Sequence, residues 1–446
     1  MADSTDAHVA RQRQRLTASV TDLDVARQRA LLVGVARSRR DEEAGWVSLA
    51  ELGLLTDTAG SDPVDAVLVR RERPDPATFI GKGKLNELVT ESRAADIDVV
   101  VFDNELSPAQ QRNLQQAFQC DVVDRVALIL DIFAQHAHTR EGRLQVELAQ
   151  YRYRLPRLRG KGVELSRLGA GIGTRGPGET KLETDRRRIL DRIRTIEREL
   201  TDARRSRATR SKQRQRSGNP VIAIVGYTNA GKSTLFNRLT DAGVLVEDRL
   251  FATLDSTIRK LELPHGHNAL LSDTVGFVRD LPHELVEAFR STLEEVADAD
   301  LLLHLVDASD AQFEEHIATV RLVLDDIGAS DVPELIVFNK IDALDHTAIR
   351  RLEALHPDAV FVSSLTGHGI PQLLEQVVVS LAAQTVELAL SIPYARGDVI
   401  ADIHSVGDVL ELGHTDSGTD LTVRLPSTEA HRFRAFAPEA PAPADI

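Results

Sequence analysis

The chain has 446 residues, of which 42% are hydrophobic, and it carries a formal net charge of −14. A chain of this length can bury two or three domain cores. The single cysteine, Cys120, excludes a disulfide framework. No apolar run approaches the roughly 18 residues of a membrane helix, and the first residues lack the apolar core of a signal peptide. We therefore expect a soluble, cytoplasmic protein whose surface as a whole does not bind nucleic acid nonspecifically.

The N-terminal half predicts two domains after a flexible tail at residues 1–28. From 29 to 125, short apolar runs alternate with helical patterns, which predicts a small parallel α/β domain. Residues 126–216 predict a helical hairpin, with helices at Glu141–Leu155 and Glu179–Arg210 and an irregular, glycine-containing loop from Pro156 to Gly178.

Positive charge is concentrated in this hairpin. Residues 151–216 contain 21 Lys and Arg against 8 Asp and Glu. A basic helix is often only a solvated face, but a glycine-rich loop within the basic stretch favours phosphate contacts. We predict that its cationic side chains contact nucleic-acid phosphates: Arg157, Arg159, Lys161, Arg167 and Arg175.

The C-terminal half begins at a breaker cluster, Ser217-Gly218-Asn219-Pro220. Residues 217–385 predict a doubly wound α/β nucleotide-binding domain, residues 386–436 a small α+β domain, and residues 437–446 a disordered, Ala/Pro-rich tail. The predicted fold class is therefore multidomain α/β.

A glycine-rich loop lies between the apolar strand Val221–Val225 and a helix, an order typical of a P-loop. Backbone N–H groups of such a loop surround the β-phosphate, Lys232 faces the β- and γ-phosphates, and the Ser233 hydroxyl is a ligand for Mg²⁺. The predicted nucleotide contacts here are Gly226, Tyr227, Thr228, Asn229, Ala230, Gly231, Lys232, Ser233 and Thr234.

Two further segments predict the switch regions. Asp273-Thr274-Val275-Gly276 follows a strand, so Asp273 is expected to hold Mg²⁺ through water and the Gly276 N–H to sense the γ-phosphate. In Phe251-Ala252-Thr253, the threonine is preferred over Thr257 as the residue that closes over Mg²⁺ and the γ-phosphate. Lys232, Thr253 and Gly276 are the predicted catalytic residues.

The base is predicted to be guanine. Asn339-Lys340-Ile341-Asp342 follows an apolar strand, where open α/β sheets bind ligands. The Asp342 carboxylate can accept from guanine N1–H and the exocyclic amine, a pair of donors that adenine lacks. Ser363, Ser364 and Leu365 follow, and the backbone of the last two is expected to contact the guanine carbonyl. GTP is thus favoured over ATP as the substrate.

Intrinsic GTP hydrolysis, without a partner that supplies a polar group, is predicted to be slow. Phe277 stands where Ras-like proteins carry the glutamine that orients the attacking water, and a phenyl ring cannot form that hydrogen bond. Asn229 stands where potassium-activated GTPases of the Era type carry an asparagine that binds K⁺, although asparagine is also an ordinary loop residue.

The chain resembles the HflX family of GTPases from about Leu31 to about Phe436. The motifs that carry the resemblance are long: Asn104–Leu114, Asp124–Ala134, Gln145–Gln150 and Gly171–Thr180, together with Phe277. This resemblance implies a GTPase that binds the large ribosomal subunit, its rRNA and its proteins, through the N-terminal and helical domains. It also implies that stalled or stress-trapped 70S ribosomes are split, and that the basic loop approaches the peptidyl-transferase region. We expect the free protein to be monomeric.

The alternative to ribosome splitting is a GTP-gated regulator that recruits a protein partner. In that case the basic hairpin would serve only as a stalk. A P-loop kinase or metabolic enzyme is disfavoured by Asn339–Asp342.

Overall fold

The computed structural model describes residues 27–158, 177–215, 219–240, 250–251, 257–279, 295–383 and 385–437. These residues divide into two compact units, one built from residues up to 103 with 113–123, and the other from 104–112 with residues from 124 onward.

The N-terminal unit is organised around a four-stranded sheet with the order β2-β1-β3-β4. Strand β1 runs parallel to both β2 and β3, and every residue of β3 is buried. The four strands alternate with helices along the chain: β1 Gln28–Ala36, α1 Glu42–Thr58, β2 Ser61–Arg70, α2 Lys82–Ala94, β3 Val99–Phe102, α3 Pro108–Phe118 and β4 Asp121–Asp124.

Three helices follow the first sheet: α4 Arg125–His136, α5 Arg140–Arg157 and α6 Pro177–Gln215. The Asp124 carboxylate caps α4 by accepting from the Ala127 N–H at 2.9 Å. Helices α5 and α6 pack through an apolar seam. A bidentate ion pair flanks it, in which Arg192 donates to the two carboxylate oxygens of Glu147 at 2.8 and 2.7 Å. The paired helices of the expected hairpin are therefore present.

The start of the expected loop was misplaced. Helix α5 continues to Arg157 and includes Pro156 in its last turn, whereas the sequence pattern predicted irregular backbone from Pro156 onward. Proline is unfavourable within a helix because it lacks an N–H donor, but here side-chain contacts of Arg157 hold the final turn, as described below. Residues 159–176, which include Arg159, Lys161, Arg167 and Arg175, lie outside the described residues.

The largest sheet has six strands in the order β10-β9-β8-β5-β7-β6. All neighbouring strands are parallel except β6, which pairs antiparallel with β7. Its elements are β5 Val221–Gly226, α7 Lys232–Thr240, β6 Thr257–Glu262, β7 Asn268–Asp273, β8 Leu301–Asp307, α8 Phe313–Asp326, β9 Glu334–Asn339, α9 His346–Leu355, β10 Val360–Phe361 and α10 Ile370–Ala382. The carboxyl ends of β5, β7, β8 and β9 consequently lie along one edge of the sheet, the edge at which such sheets bind ligands.

The last segment is a three-stranded antiparallel sheet with the order β11-β13-β12. It comprises β11 Thr385–Pro393, α11 Gly397–Val406, β12 Asp408–His414, β13 Gly418–Pro426 and α12 Ser427–Phe433. Its core contains Leu390 and Ile392 of β11, Leu421 and Val423 of β13, and Phe433 of α12.

The multidomain α/β fold class is confirmed. The bounds of the six segments predicted from the sequence stay predictions. Among the helices in the described ranges, none is long and apolar enough to cross a bilayer.

Candidate nucleotide site

The loop after β5 has a backbone that only small or conformationally tolerant residues adopt. Gly226 and Gly231 have φ angles of 153° and 93°. A Cβ atom on Gly226 would lie 2.2 Å from the Leu305 carbonyl oxygen, and one on Gly231 would lie 2.3 Å from Asn339 Nδ2. Asn229 is left-handed at φ 61°, a conformation that asparagine tolerates. The two glycines therefore allow the loop to lie against β8 and against Asn339.

Lys232 opens α7 and is 7% exposed. Its Nζ donates to the carbonyl oxygens of Gly226 and Tyr227 at 3.0 and 2.7 Å. Burial lowers the pKa of this amine from 10.5 to about 8, and the charge of Asp273 opposes that shift. Loop carbonyls thus hold the ammonium group at the place where the β- and γ-phosphates bind in a P-loop domain.

The residues expected to hold Mg²⁺ lie side by side. Ser233 Oγ is 3.1 Å from Asp273 Oδ2, which joins the start of α7 to the end of β7. A hydroxyl and a carboxylate are oxygen ligands, which Mg²⁺ prefers, so this pair fits the ion. Thr234 follows on the same helix. Thr274 is buried, and its hydroxyl donates to the Ile224 carbonyl at 2.6 Å, so this side chain braces the sheet.

The segment after Asp273 is attached to the P-loop by backbone hydrogen bonds. The Thr228 N–H donates to the Phe277 carbonyl at 2.7 Å, and the Phe277 N–H donates to the Gly226 carbonyl at 3.1 Å. Val275 is buried. At Gly276 a Cβ atom would lie 2.9 Å from Thr228 Cγ2 and 3.0 Å from Lys232 Nζ. A larger residue here would therefore crowd the side chains of Thr228 and Lys232.

Phe277 is a core residue whose side chain is 1% exposed. Its backbone pairs with Tyr227 on the other side of the loop. The Tyr227 ring stacks on His316 of α8 with 3.9 Å between ring centroids, and its hydroxyl accepts from the Arg279 N–H at 2.8 Å. The position that carries the water-orienting glutamine in Ras-like proteins is thus used here to pack the sheet.

The segments predicted to bind the base are joined to the P-loop by one buried side chain. Asn339 Nδ2 donates to the Ala230 carbonyl at 2.8 Å, and Asn339 Oδ1 accepts from the Ser364 N–H and hydroxyl, both at 2.9 Å. Lys340 is left-handed, and its Nζ is 2.7 Å from Asp307 Oδ2. Asp342 is exposed, so its carboxylate can reach a ligand.

The loop that carries Ser363, Ser364 and Leu365 is itself firmly held. Ser363 is fully buried, and its hydroxyl accepts from the Thr366 N–H at 3.1 Å. Arg238, near the end of α7, donates through Nε to the Ser364 carbonyl at 3.0 Å and through Nη2 to the Leu365 carbonyl. The role of Arg238 could not be predicted from the sequence, because no motif distinguishes an arginine near the end of a helix from a surface residue.

The first switch region is described only at its edges. Phe251 is buried, has a φ angle of 59°, and packs edge-on against Phe133 of α4 with 4.7 Å between ring centroids. Ala252 and Thr253 lie outside the described residues, and Thr257 begins β6. The preference for Thr253 over Thr257 stays a prediction.

Arg157, predicted to bind rRNA, is occupied by protein groups. Its guanidinium lies 3.4 Å from the centre of the Tyr153 ring and donates to the Leu106 carbonyl at 2.8 Å and to Gln111 Oε1 at 3.1 Å. It also pairs at 3.3 Å with Asp124, whose side chain is fully buried. In the structure the guanidinium anchors the end of α5, and its contact with rRNA stays a prediction.

The loop, the buried lysine and the base-binding segments together define a P-loop GTPase. Comparison with known proteins gives the same class. Residues 221–340 match the family described as 50S ribosome-binding GTPase, residues 47–134 match GTP-binding GTPase N-terminal, and residues 136–214 match GTP-binding GTPase middle region.

Relatives that align over nearly the full chain define the family more narrowly than these matches to separate segments. The GTPase HflX of Lacrimispora saccharolytica is 48% identical over 406 residues, covering 91% of this chain and 95% of that protein. The GTPase HflX of Escherichia coli is 43% identical over 388 residues, covering 86% and 91%. The chain belongs to the HflX family of GTPases, and it binds and hydrolyses GTP.

A solved structure with a similar fold is that of a GTP-binding protein from the archaeon Sulfolobus solfataricus in complex with GDP. It is 24% identical, with a TM-score of 0.43, and covers 80% of this chain and 99% of that chain.

Proposed function

We propose that this GTPase binds the large ribosomal subunit through its N-terminal and helical domains and dissociates stalled or stress-trapped 70S ribosomes in the cytoplasm. The observation that carries the proposal is the concentration of positive charge in one segment of an otherwise acidic chain, 21 Lys and Arg against 8 Asp and Glu over residues 151–216. Lysine and arginine bind rRNA by replacing the counterions of its phosphates.

Described residues of α6 support a nucleic-acid contact along this helix. While its apolar side packs on α5, exposed arginines are interspersed with acidic and polar residues on the remainder of its described surface: Arg186, Arg187, Arg188, Arg194, Arg198, Arg204 and Arg205. Some of them pair with acidic neighbours three residues away, such as Arg194 with Asp191. Such exposed pairs are weak, so the arginines can exchange them for phosphates. Arg159, Lys161, Arg167 and Arg175 are the proposed rRNA contacts of the loop, together with Arg157 at its start.

The roles of the nucleotide-site residues are proposed as follows. The P-loop from Gly226 to Thr234 surrounds the phosphates, with Lys232 as the charged group. Ser233, Thr253 and Asp273 hold Mg²⁺, the last through water, and Gly276 donates to the γ-phosphate. Asn339, Lys340, Asp342 and the backbone of Ser364 and Leu365 bind the base. The neighbouring positions of Ser233 and Asp273 support the metal assignment.

A ribosome-dependent rate is part of the proposal. Phe277 is held in the core, so its side chain cannot orient a water molecule. We therefore propose that large subunits supply or order a polar group that raises turnover. Asn229 is exposed on the loop and is proposed to bind K⁺. Turnover that is equal in K⁺ and Na⁺ would remove that assignment.

Sucrose-gradient sedimentation of 70S particles tests the function directly. The protein is added with GTP, a nonhydrolysable GTP analogue or GDP, and the subunit peaks are measured. We expect splitting with GTP and with the analogue, because the bound triphosphate orders the switch segments, and none with GDP. Full splitting with GDP would refute this mechanism. A protein that stays at the top of the gradient in every lane would favour the alternative, a GTP-gated regulator with a protein partner.

A charge-matched pair of variants isolates the basic loop. Reversal of Arg159, Lys161, Arg167 and Arg175 to Glu should abolish large-subunit binding but leave GTP binding unchanged. The control reverses four exposed cations elsewhere, Arg259, Lys260, Arg350 and Arg351, with the same change in net charge. The logarithm of affinity should fall with the logarithm of salt concentration by about one unit of slope per phosphate contact. Equal losses in both variants would assign the effect to net charge alone.

A further inference from the structure

Arg238 connects the phosphate end of the site to its base end. It lies on α7, the helix that Lys232 and Ser233 begin. Its guanidinium donates two hydrogen bonds, one at 3.0 Å to the Ser364 carbonyl and one to the Leu365 carbonyl. A guanidinium presents its donors in a rigid, planar fork. Two consecutive carbonyls of the base-binding loop are therefore fixed in direction by one side chain.

The opposite side of the same loop is held by Asn339. Asn339 Oδ1 accepts from the Ser364 N–H, so that donor is already used within the protein. Among the described residues, no group accepts from the Leu365 N–H. The Leu365 side chain is 72% exposed, at the surface of the loop. Of the two backbone donors proposed for guanine, that of Leu365 is therefore the one not already engaged by a described protein group.

The orientation of this N–H depends on the peptide planes around it. Asn339 fixes the peptide before Ser364, and Arg238 fixes the carbonyls of Ser364 and Leu365. The Ser364 carbonyl belongs to the same peptide plane as the Leu365 N–H. The bond from Arg238 Nε to that carbonyl consequently sets the direction in which the Leu365 N–H points.

We infer that Arg238 is a positioning residue for base specificity, which aims the Leu365 N–H at the 6-oxo group of guanine. This inference rests on the proposed role of Leu365 in base binding. A site that hydrogen-bonds a ligand group discriminates strongly against an analogue without it, provided that the donor is held in place. Arg238 acts through Leu365 and does not touch the nucleotide.

The test compares GTP with two analogues in competition against a fluorescent GDP. In 6-thio-GTP, sulfur replaces the 6-oxygen and is a much weaker acceptor, while N1–H and the 2-amino group are kept. ITP keeps the 6-oxygen and lacks the 2-amino group. We expect Arg238→Met to weaken GTP and ITP binding by roughly tenfold, the effect of one hydrogen bond, and 6-thio-GTP binding by less than about twofold. Arg351→Met, which removes an exposed arginine of α9, should change none of the three affinities.

Arg238→Lys separates charge from geometry, because lysine keeps the charge but cannot bind both carbonyls as a planar fork. We expect it to lose part of the preference for GTP over 6-thio-GTP. Equal weakening of all three ligands by Arg238→Met would mean that Arg238 only stabilises the domain, and would overturn the inference. If the unchanged protein binds GTP and 6-thio-GTP equally, the proposed contact of Leu365 with the 6-oxo group fails instead.

Discussion

Restoring glutamine at position 277 should not restore fast hydrolysis. Phe277 is 1% exposed, and its backbone bonds to Gly226 and Thr228 hold the residue in register beside the P-loop. A glutamine placed there follows the same backbone and points into the core. We therefore expect Phe277→Gln to leave intrinsic turnover within about twofold of the unchanged protein, since a group outside reach of the water contributes nothing to the transition state.

The main effect of Phe277→Gln should be a loss of folding stability. Removing a buried phenyl ring lowers the free energy of unfolding by about 3–5 kcal/mol. An amide without a partner in the same space adds to that loss. Phe277→Leu keeps the site apolar and is the matched control, for which we expect a loss near 1.5 kcal/mol.

The assay must report on the domain that contains Phe277. The single tryptophan, Trp46, lies on α1 in the N-terminal unit, so its fluorescence follows a different part of the chain. Release of a fluorescent GDP during urea titration reports on the nucleotide site. Intrinsic turnover is then measured by phosphate release below the urea concentration of that transition. A rise in turnover of tenfold or more in Phe277→Gln would refute the argument, because it would place this side chain at the attacking water.

Three further predictions concern the nucleotide site and the end of α5. Asp342→Asn should transfer preference from GTP to XTP in competition binding, because the amide can donate to the 2-oxo group of xanthine, and unchanged selectivity for GTP would contradict the base assignment. Since burial lowers the pKa of Lys232 to about 8, the nucleotide-free protein loses that positive charge as the pH rises through 8. GTP affinity should then fall by up to about tenfold per unit above this pH, and Lys232→Ala should bind weakly with this pH dependence removed. Arg157→Met should lower the free energy of unfolding by about 3–5 kcal/mol in denaturant titration, because it leaves the buried Asp124 carboxylate without its ion pair. Adding Asp124→Asn should recover part of this loss, and a purely additive double variant would count against a direct interaction.

The nucleotide domain could be predicted from the sequence because its motifs follow its strands. Each predicted segment begins where an apolar run ends, as with Gly226 at the end of β5, Asp273 at the end of β7 and Asn339 at the end of β9. Parallel strands then bring those ends to one edge. The motifs at the strand ends and the positions of those ends in the sheet therefore indicate the same site.

The role of Arg157 could not be predicted in this way. Its partners Leu106, Gln111 and Asp124 are 33 to 51 residues away along the chain. A basic residue before a glycine-rich loop has the sequence pattern of a phosphate contact, whatever its tertiary partners are. Arg238 presents the same difficulty, because its two acceptors are backbone carbonyls 126 and 127 residues away. Long-range contacts to backbone atoms leave no trace in residue type.

The edge-on contact between Phe133 and Phe251 has a thermodynamic consequence. An aromatic residue in the left-handed region is strained by about 1–3 kcal/mol, and Phe251 is kept there by packing that includes a helix outside the GTPase fold. Phe251 lies two residues before Thr253. If residue 251 leaves this conformation when Thr253 closes over GTP, the free energy of the ring contact becomes part of the GTP affinity. Linkage is reciprocal, so a molecule that fixes α4 would then change GTP affinity by the same factor by which GTP changes the affinity of that molecule. The contact between these two aromatic rings would then couple GTP binding to the binding of that molecule.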